Sequence, residues 1–435
     1  MTVKTAFGIM VVFCLVLGLF RSLGTAGGAK HKTELSFWNG WTGPDGVAML
    51  QVIRRFNEEN PDVEVSMQRI AWATYYNKLM VAEMNQRGPE VFVIHASTLP
   101  RMFRAGFVSD VSDLYTGRGG FTQGDFDPYV LDQVKFGKEM IGLPLDIHPQ
   151  GMYVNADILK QAGIVDDHGD PRAPQNRDEF MRVVTSTMKA SGDASASTWG
   201  YSLFNWRENF MTLLPQFDGG YFTKDGRADL ANPGNVAALS FLVDLANRKL
   251  LSPPENQSGW VGFRQNKVAM IFAGVFMLGD LLRLEDVHYI GAPIPVIGNH
   301  PGTLADSHIL CIKTALSPEK REAAERFIRY LSANSIEWAA AGQVPARKSM
   351  RAKPEFQKMQ VQSAFAKEIP YMRYPPRTTV LFELEFELDH ATEMALRRQA
   401  SPKEALENAT VNLQKVLDRD KEETGGVGAL TGGGQ

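Results

Sequence analysis

The side chains best suited to chemistry gather in three short stretches: His95-Ala-Ser97, Asp146-Ile-His148 and Asp306-Ser-His308. An unpaired carboxylate in an apolar run is costly, so Asp146 needs a partner. Ligand hydroxyls donating to it, a salt bridge within the chain or a cap at a crossing would each serve. His95, Asp146, His148, Asp306 and His308 together invite a metal reading. No pair of them has the i, i+4 spacing of helical ligands, and no paired-cysteine pattern is present, so no metal is expected. Phe382-Glu-Leu-Glu-Phe-Glu-Leu-Asp389 places four acids at alternate positions, the raw material of a two-carboxylate glycosidase. Nothing sets one of them as acid and another as base, so a solvated face is the simpler reading and no catalytic residue is assigned. Neither Gly-x-Ser-x-Gly nor a Walker-type phosphate loop occurs.

The elements that must hold these residues are legible from periodicity. Glu34 to Trp38 alternates as a strand, and Asn39 to Gly46 is a Gly/Pro/Asp loop. Met49, Val52, Ile53 and Phe56 then recur at helical spacing, Pro61 ends the helix, and Val63, Val65 and Met67 alternate again. Strand, loop, helix, strand is a βαβ unit, which implies a parallel sheet and an α/β class. Ligands in such sheets bind beyond the carboxyl ends of the strands, which makes the loop with Asn39, Trp41, Thr42 and Asp45 a site candidate. Asp45 is equally placed to cap the first helix. Val91 to Ile94 reads as a buried strand delivering His95 and Ser97 from its carboxyl end. Pro144 and Pro149 should prevent one regular element from running through Asp146 and His148, leaving a polar crossing between two sheets. Further helices are expected from about Tyr75 to Gln86, Asp178 to Met188 and Pro233 to Leu250. Ser317-Pro318 should start another, Ser401-Pro402 a last one, and the chain is mostly helical from Arg351. Ser191 to Ser197 reads as a small-residue loop and Pro253-Pro254 as a break.

A chain of 435 residues exceeds what one hydrophobic core usually supports, so two lobes are expected. A formal net charge of −3 argues against a nucleic-acid or anionic-membrane partner. Lys4, the apolar run Ala6 to Phe20 and the small residues Gly24 to Ala29 follow the order of a secretory leader, with cleavage after Ala26, Gly28 or Ala29. An uncleaved anchor is the alternative. Export to the periplasm is the expectation, and Thr424 to Gln435 reads as a Gly-rich flexible tail. Cys14 lies in the leader, so Cys311 would be left alone in an apolar run, as a core thiol without a disulfide partner.

The order of several motifs resembles the extracellular solute-binding protein family 1, the maltose-binding-protein-like receptors of sugar ABC importers. The resemblance rests on Phe37-Trp-Asn39 leading to Phe56-Asn-Glu-Glu-Asn-Pro-Asp62, on Gly88-Pro-Glu-Val91 and on Tyr153-Val-Asn-Ala-Asp157. It continues in Gln265-Asn-Lys-Val-Ala-Met270 with Ala273-Gly274, in Ser317-Pro-Glu-Lys320, and in Gly342-Gln-Val-Pro-Ala-Arg347. Asn266 departs from a common Gly, and Phe276 stands where a Trp is frequent. The resemblance implies a type II periplasmic-binding-protein fold: two α/β lobes, each a mostly parallel sheet flanked by helices, joined by hinge crossings. Residues 30–145 with 309–345 would form the N-terminal lobe, and 146–308 with 346–424 the C-terminal lobe. It also implies a monomer without cofactor, whose partners are a carbohydrate ligand and ABC permease subunits. A polyol or sugar-phosphate receptor and an exported carbohydrate-active enzyme are the alternatives. Sugars present flat C–H faces and rings of hydroxyls, which call for aromatic planes, carboxylates, amides and imidazoles. Trp38, Trp41, Trp206, Trp260 and Phe276 are candidate planes. Asn39, Thr42, Asp45, His95, Ser97, Asp146, His148, Asn205, Asp306, His308 and Arg347, with the backbone at Gly274, are candidate polar contacts.

Overall fold

The computed structural model describes residues 32–117, 120–189, 197–251 and 259–423. The expected leader and Gly-rich tail, the Pro253-Pro254 break and the Ser191–Ser197 loop up to residue 196 lie outside the described residues. Two sheets organise the chain. The first runs in the spatial order Val63–Arg69, Thr33–Asn39, Val91–His95, His308–Ile312, Leu143–Pro144. Its first three strands are parallel, as a βαβ start demands; His308–Ile312 alone is reversed, pairing antiparallel with Val91–His95 on one side and Leu143–Pro144 on the other. Helix Pro44–Glu59 lies on this sheet through Met49, Val52, Ile53 and Phe56, the stripe its spacing predicts. Phe327, from helix Pro318–Ala333, meets Phe37 and Phe56 edge-on at ring distances of 5.2 and 5.1 Å. The Ser317 hydroxyl caps this helix by accepting from Lys320 N at 3.3 Å.

The second sheet is built around one long strand, Asp146–Asn155. At its start it pairs with Val344–Pro345 and Thr303–Asp306, and further along with Val268–Gly274 and Tyr289–Ala292, all antiparallel. Trp199–Ser202 extends the sheet in parallel beside Val268–Gly274. The two-lobe α/β architecture is therefore as expected, but both sheets are mixed rather than mostly parallel. The reversed strands are those that enter a sheet from the crossings. Helices Arg177–Thr187, Trp206–Leu213, Pro233–Asn247, Leu381–Leu396 and Pro402–Glu423 bury the second sheet's other core, around Phe180, Tyr201, Leu239, Leu384 and Leu406. Ser401 and Glu404 close the last helix with a reciprocal cap, each side chain accepting the other's backbone N–H.

One expectation fails at the centre. Pro149 does not interrupt the crossing, because all ten residues of Asp146–Asn155 form a single strand. Pro149 lies opposite Ala305, where the ladder tolerates its missing N–H, and the strand gains its neighbours on either side of that point.

Three passages of chain run side by side here. Leu145 N donates to His308 O at 2.9 Å, and Ala346 N donates to Leu145 O at 3.2 Å. Asp146 is fully buried and fastens them. Its Oδ1 accepts from His308 N at 2.9 Å, and its Oδ2 accepts from His308 Nδ1 at 2.8 Å and Trp338 Nε1 at 2.6 Å. Asp146 is thus satisfied by the chain itself rather than by a ligand. Burial pushes its pKa up, but His308 and these donors outweigh it and hold the carboxyl below its ordinary range. Replacing Asp146 by Ala would leave an imidazole, an indole and a backbone N–H without their acceptor. We predict a loss of about 3 kcal/mol or more in urea unfolding for Asp146→Ala, with Asp146→Asn recovering part of it. An unchanged urea midpoint would refute this role.

Candidate functional site

A cleft of about 860 Å³ opens above the crossings. Its floor is formed by His148, Gln150, Leu304 to Asp306 and His308. One wall comes from the loop Gly40–Asp45, the start of helix Trp72–Met84, and His95, Ser97 and Thr98. The other comes from Arg207, Glu208 and Met211, from Phe276, Met277 and Asp280, and from Pro375 with Leu381, Phe382 and Glu385.

The floor is a connected set of rings. Trp41 is buried and its Nε1–H donates to His308 Nε2 at 3.1 Å. An indole N–H can only donate, so His308 Nε2 carries a lone pair and its proton lies on Nδ1, facing Asp146. His308 sits opposite His95 across the first sheet, and His148 sits opposite Asp306 across the second. The three imidazoles therefore converge, with ring distances of 5.1, 5.4 and 4.7 Å. Tyr76 Oη lies 2.5 Å from His95 Nδ1. Burial holds the pKa of both His95 and His148 well below the usual range, which keeps them neutral. His148 Nε2 is buried without a hydrogen-bond partner.

Two glycines seat the aromatic planes. A Cβ on Gly40 would lie 2.0 Å from the Trp72 ring, and one on Gly274 would lie 2.0 Å from the Phe276 ring. Trp72 is half-buried, stacked on His308 at 5.8 Å and 14°, and tilted against His95 at 4.4 Å. Tyr76 meets Phe382 at 5.5 Å, bringing the two walls together. Phe276 meets His148 in a T-shaped arrangement at 6.1 Å and is 38% exposed, so part of its ring is open to the cleft.

Carboxylates ring the space. Asp306 accepts from Ser97 Oγ at 2.5 Å, Ser97 N at 3.2 Å and Ser307 N at 2.8 Å, yet burial outweighs these donors and pushes its pKa to about 6. Burial likewise raises Asp45, Glu208 and Glu385. Arg207 is the one Lys or Arg among the described lining residues, and it pairs with Asp389 at 2.5 Å and Glu385 at 3.9 Å.

Of the residues singled out from sequence, Trp41, Thr42, Asp45, His95, Ser97, His148, Phe276, Asp306 and His308 line the cleft. The others are placed elsewhere, each with its own partner. Trp38 stacks under Lys78, whose Nζ is 5.2 Å from the ring centre. Buried Asn39 accepts from Trp41 N at 3.2 Å and shapes the loop. Asn205 caps helix Trp206–Leu213, and Trp206 lies under the Arg397 guanidinium at 5.5 Å. Trp260 is buried and donates to Asp280 at 3.2 Å. Arg347 is held by Asp125 at 2.6 Å against the Phe121 ring. Gly274 acts by making room for Phe276. Asp45 caps no helix end as a side chain; Gly43 is the cap residue, and Asp45 Oδ1 accepts from Gly46 N at 2.7 Å. Trp72, Tyr76, Arg207 and Glu208 were not singled out, and the run holding Phe382 and Glu385 was set aside as a solvated face. Phe382 and Glu385 belong to helix Leu381–Leu396, whose 3.6-residue period brings them to one face; the alternation read as a solvated face concealed this.

A family model described as bacterial extracellular solute-binding protein matches residues 51–362. The chain belongs to that family. Among curated relatives, the arabinooligosaccharide-binding protein of Bacillus subtilis is 23% identical over 63% of this chain and 64% of its own. The sn-glycerol-3-phosphate-binding periplasmic protein UgpB of Escherichia coli K12 is 23% identical over 53% of each. The chain thus spans about half to 64% of the length of these relatives. In fold it is similar to the ABC substrate-binding protein Lmo0181 of Listeria monocytogenes, solved in complex with cycloalternan. That match has a TM-score of 0.77 at 19% identity, covering 89% of this chain and 99% of the other.

The raised pKa of Asp306 has a testable sign. Its ordinary value is 3.8 and its folded value about 6, so the folded protein keeps a proton that the unfolded chain releases. The stabilisation is present below pH 4 and is lost as pH rises through 6. Asp306→Asn, which stays neutral, should lack this fall. Relative to wild type it should gain on the order of 2–3 kcal/mol between pH 4 and 7 in urea unfolding. Parallel stability profiles would refute the assignment.

Proposed function

We propose that this chain is an exported solute receptor that binds a sugar or oligosaccharide in the cleft and delivers it to an ABC permease. The observation that carries the reading is the composition of the cleft. Trp72 and Phe276 offer ring faces, and Glu208, Asp306, Glu385 and Gln150 stand around them as hydroxyl partners. A pyranose is apolar on its faces and hydroxylated at its rim, and this is the complement. Hydroxyl donors from such a ligand would satisfy carboxylates that burial otherwise drives towards protonation. The oligosaccharide named for the Bacillus subtilis relative, and the cycloalternan bound to the Listeria monocytogenes protein, are of the same chemical class. The family's members are extracellular binding proteins, which supports binding without chemistry.

A sugar phosphate is the less suited ligand. Arg207 is engaged by two carboxylates, and the N-terminus of helix Pro44–Glu59, an anion site in principle, carries Asp45 in its first turn. In the proposed mechanism, residues 30–145 with 309–345 and residues 146–308 with 346–424 form lobes that close about the crossings, and the permease reads the closed form. The leader up to about residue 29 directs export. No described helix is long and apolar enough to cross a membrane.

Titrating the purified chain with neutral mono- and oligosaccharides, polyols and sugar phosphates, followed by calorimetry and intrinsic Trp fluorescence, tests the reading. We expect saturable binding to a neutral saccharide and at least about tenfold weaker binding for Trp72→Ala, roughly 1.4 kcal/mol. Saturation with sugar phosphates alone would replace this ligand class, and a hydrolysed product would replace binding by catalysis.

A further inference from the structure

We propose that His95, His148 and His308 form a three-histidine site for a divalent transition-metal ion of the zinc class, set in the floor with its open coordination position facing the cleft. One nitrogen from each ring lies within 4.8 Å of the other two. Around a tetrahedral ion with metal–nitrogen bonds of 2.0–2.1 Å, such nitrogens are roughly 3.3 Å apart. The rings must therefore draw in by at most about 1.5 Å, which small side-chain rotations supply.

The hydrogen bonds around the rings are those of a metal site's outer shell. Metal-bound imidazoles usually engage their distal nitrogen with a carboxylate, carbonyl or other polar group, which fixes ring orientation and tautomer. His308 Nδ1 faces the Asp146 carboxylate at 2.8 Å, and His95 Nδ1 faces the Tyr76 hydroxyl at 2.5 Å. This leaves Nε2 of each ring as the candidate metal-binding nitrogen, that of His308 being engaged by Trp41 Nε1–H. His148 Nε2 is buried with no partner, an arrangement that costs free energy unless something occupies it. A hydrogen-bonded relay through Trp41, His308 and Asp146 accounts for one of the three imidazoles and leaves the orphaned nitrogen of His148 unexplained.

The electrostatics agree. The Asp146 carboxylate, 2.8 Å from His308 Nδ1, stands close enough to offset part of the ion's charge. Neutral imidazole donors favour zinc, copper and nickel over calcium or magnesium. The ion would take the His308 lone pair that Trp41 Nε1–H now engages. Metal binding and the Trp41–His308 bond are therefore alternatives, and indole fluorescence should respond to the ion. All three rings border the cleft, so the remaining coordination position opens where a solute oxygen would sit.

The test uses the chelator-stripped full chain, titrated with Zn²⁺ by calorimetry and with Co²⁺ by visible absorption. One equivalent of Zn²⁺ should bind saturably, with a change in Trp emission and the intense bands of four-coordinate cobalt. His148→Ala and His95→Gln should each weaken binding by more than the roughly 10–100-fold that loss of an outer-shell partner costs. Circular dichroism of the metal-free variants checks folding. Should His148→Ala fail to fold, His95→Gln and the wild-type cobalt spectrum decide. No saturable Zn²⁺ binding, a weak six-coordinate cobalt spectrum, or undiminished affinity in the folded variants would overturn the proposal. Such a result would leave the carbohydrate reading intact, because Trp72 and Phe276 are seated by glycines and not by an ion.

Discussion

A single buried carboxylate sets the geometry of everything above it. Asp146 has no solvent and so must take its hydrogen bonds from the chain; it takes them from His308 twice and from Trp338. Because Oδ2 accepts from His308 Nδ1, the other imidazole nitrogen is left as an acceptor, and it receives the Trp41 indole. Trp41 in turn packs on Trp338 at 4.5 Å, closing the circle. The loop after the first strand, the helix carrying Trp338 and two crossings are thus fixed to one another through one charged group. Breaking such a set leaves several buried polar atoms unsatisfied at once, which is why it behaves as a unit.

The placement of this unit matters for the proposed closure. It lies where three passages of chain run side by side, so in that closure the floor would be displaced least. The walls carry the aromatic planes and the outer carboxylates. Tyr76 touches Phe382, and Arg104 pairs with Asp420 at 2.8 Å; both contacts join helices packed on the first sheet to helices of the second core. These are only two contacts, one a ring pair and one a partly buried ion pair, so in the proposed mechanism the ligand would decide the open–closed balance. In the proposed mechanism, a solute contacting both Trp72 and Phe276 would favour the state in which the walls have approached.

Much of this was legible in the sequence because it was local. The strand-loop-helix-strand start, the Ser317 and Ser401 caps, the apolar stripe of the first helix and the position of the first crossing each depend on residues within one turn or one strand. The cleft-lining loops at Thr42 and Ser97 followed from topology, since carboxyl ends of parallel strands gather on one edge. What failed depended on partners distant in sequence. Asp146, Trp206, Trp260 and Arg347 have the right chemistry for a solute, but each is satisfied by a residue between 20 and 222 positions away. The histidine cluster escaped a spacing test because its members come from three strands, aligned by cross-strand register alone. Trp72 did leave a local trace, the Gly40 that makes room for it. A glycine in a Gly/Pro loop serves a tight turn equally well, however, so that trace does not point to a ring.

Within Phe382 to Asp389, Glu385 alone breaks the solvated-face reading, and it shows how an electrostatic cost can identify a binding surface. A solvated helix face would leave its acids near their ordinary pKa, whereas Glu385 is raised by burial and partly offset by Arg207. The same holds for Glu208 and Asp306. Buried carboxylates with raised pKa values that face open volume are unstable arrangements for a rigid core, where apolar replacements would pack at lower cost. They become favourable when a ligand supplies the missing donors, and hydroxyl groups do so without adding charge. The cost carried by the free protein is then a measure of selectivity, since a solute lacking those hydroxyls leaves the carboxylates as they were.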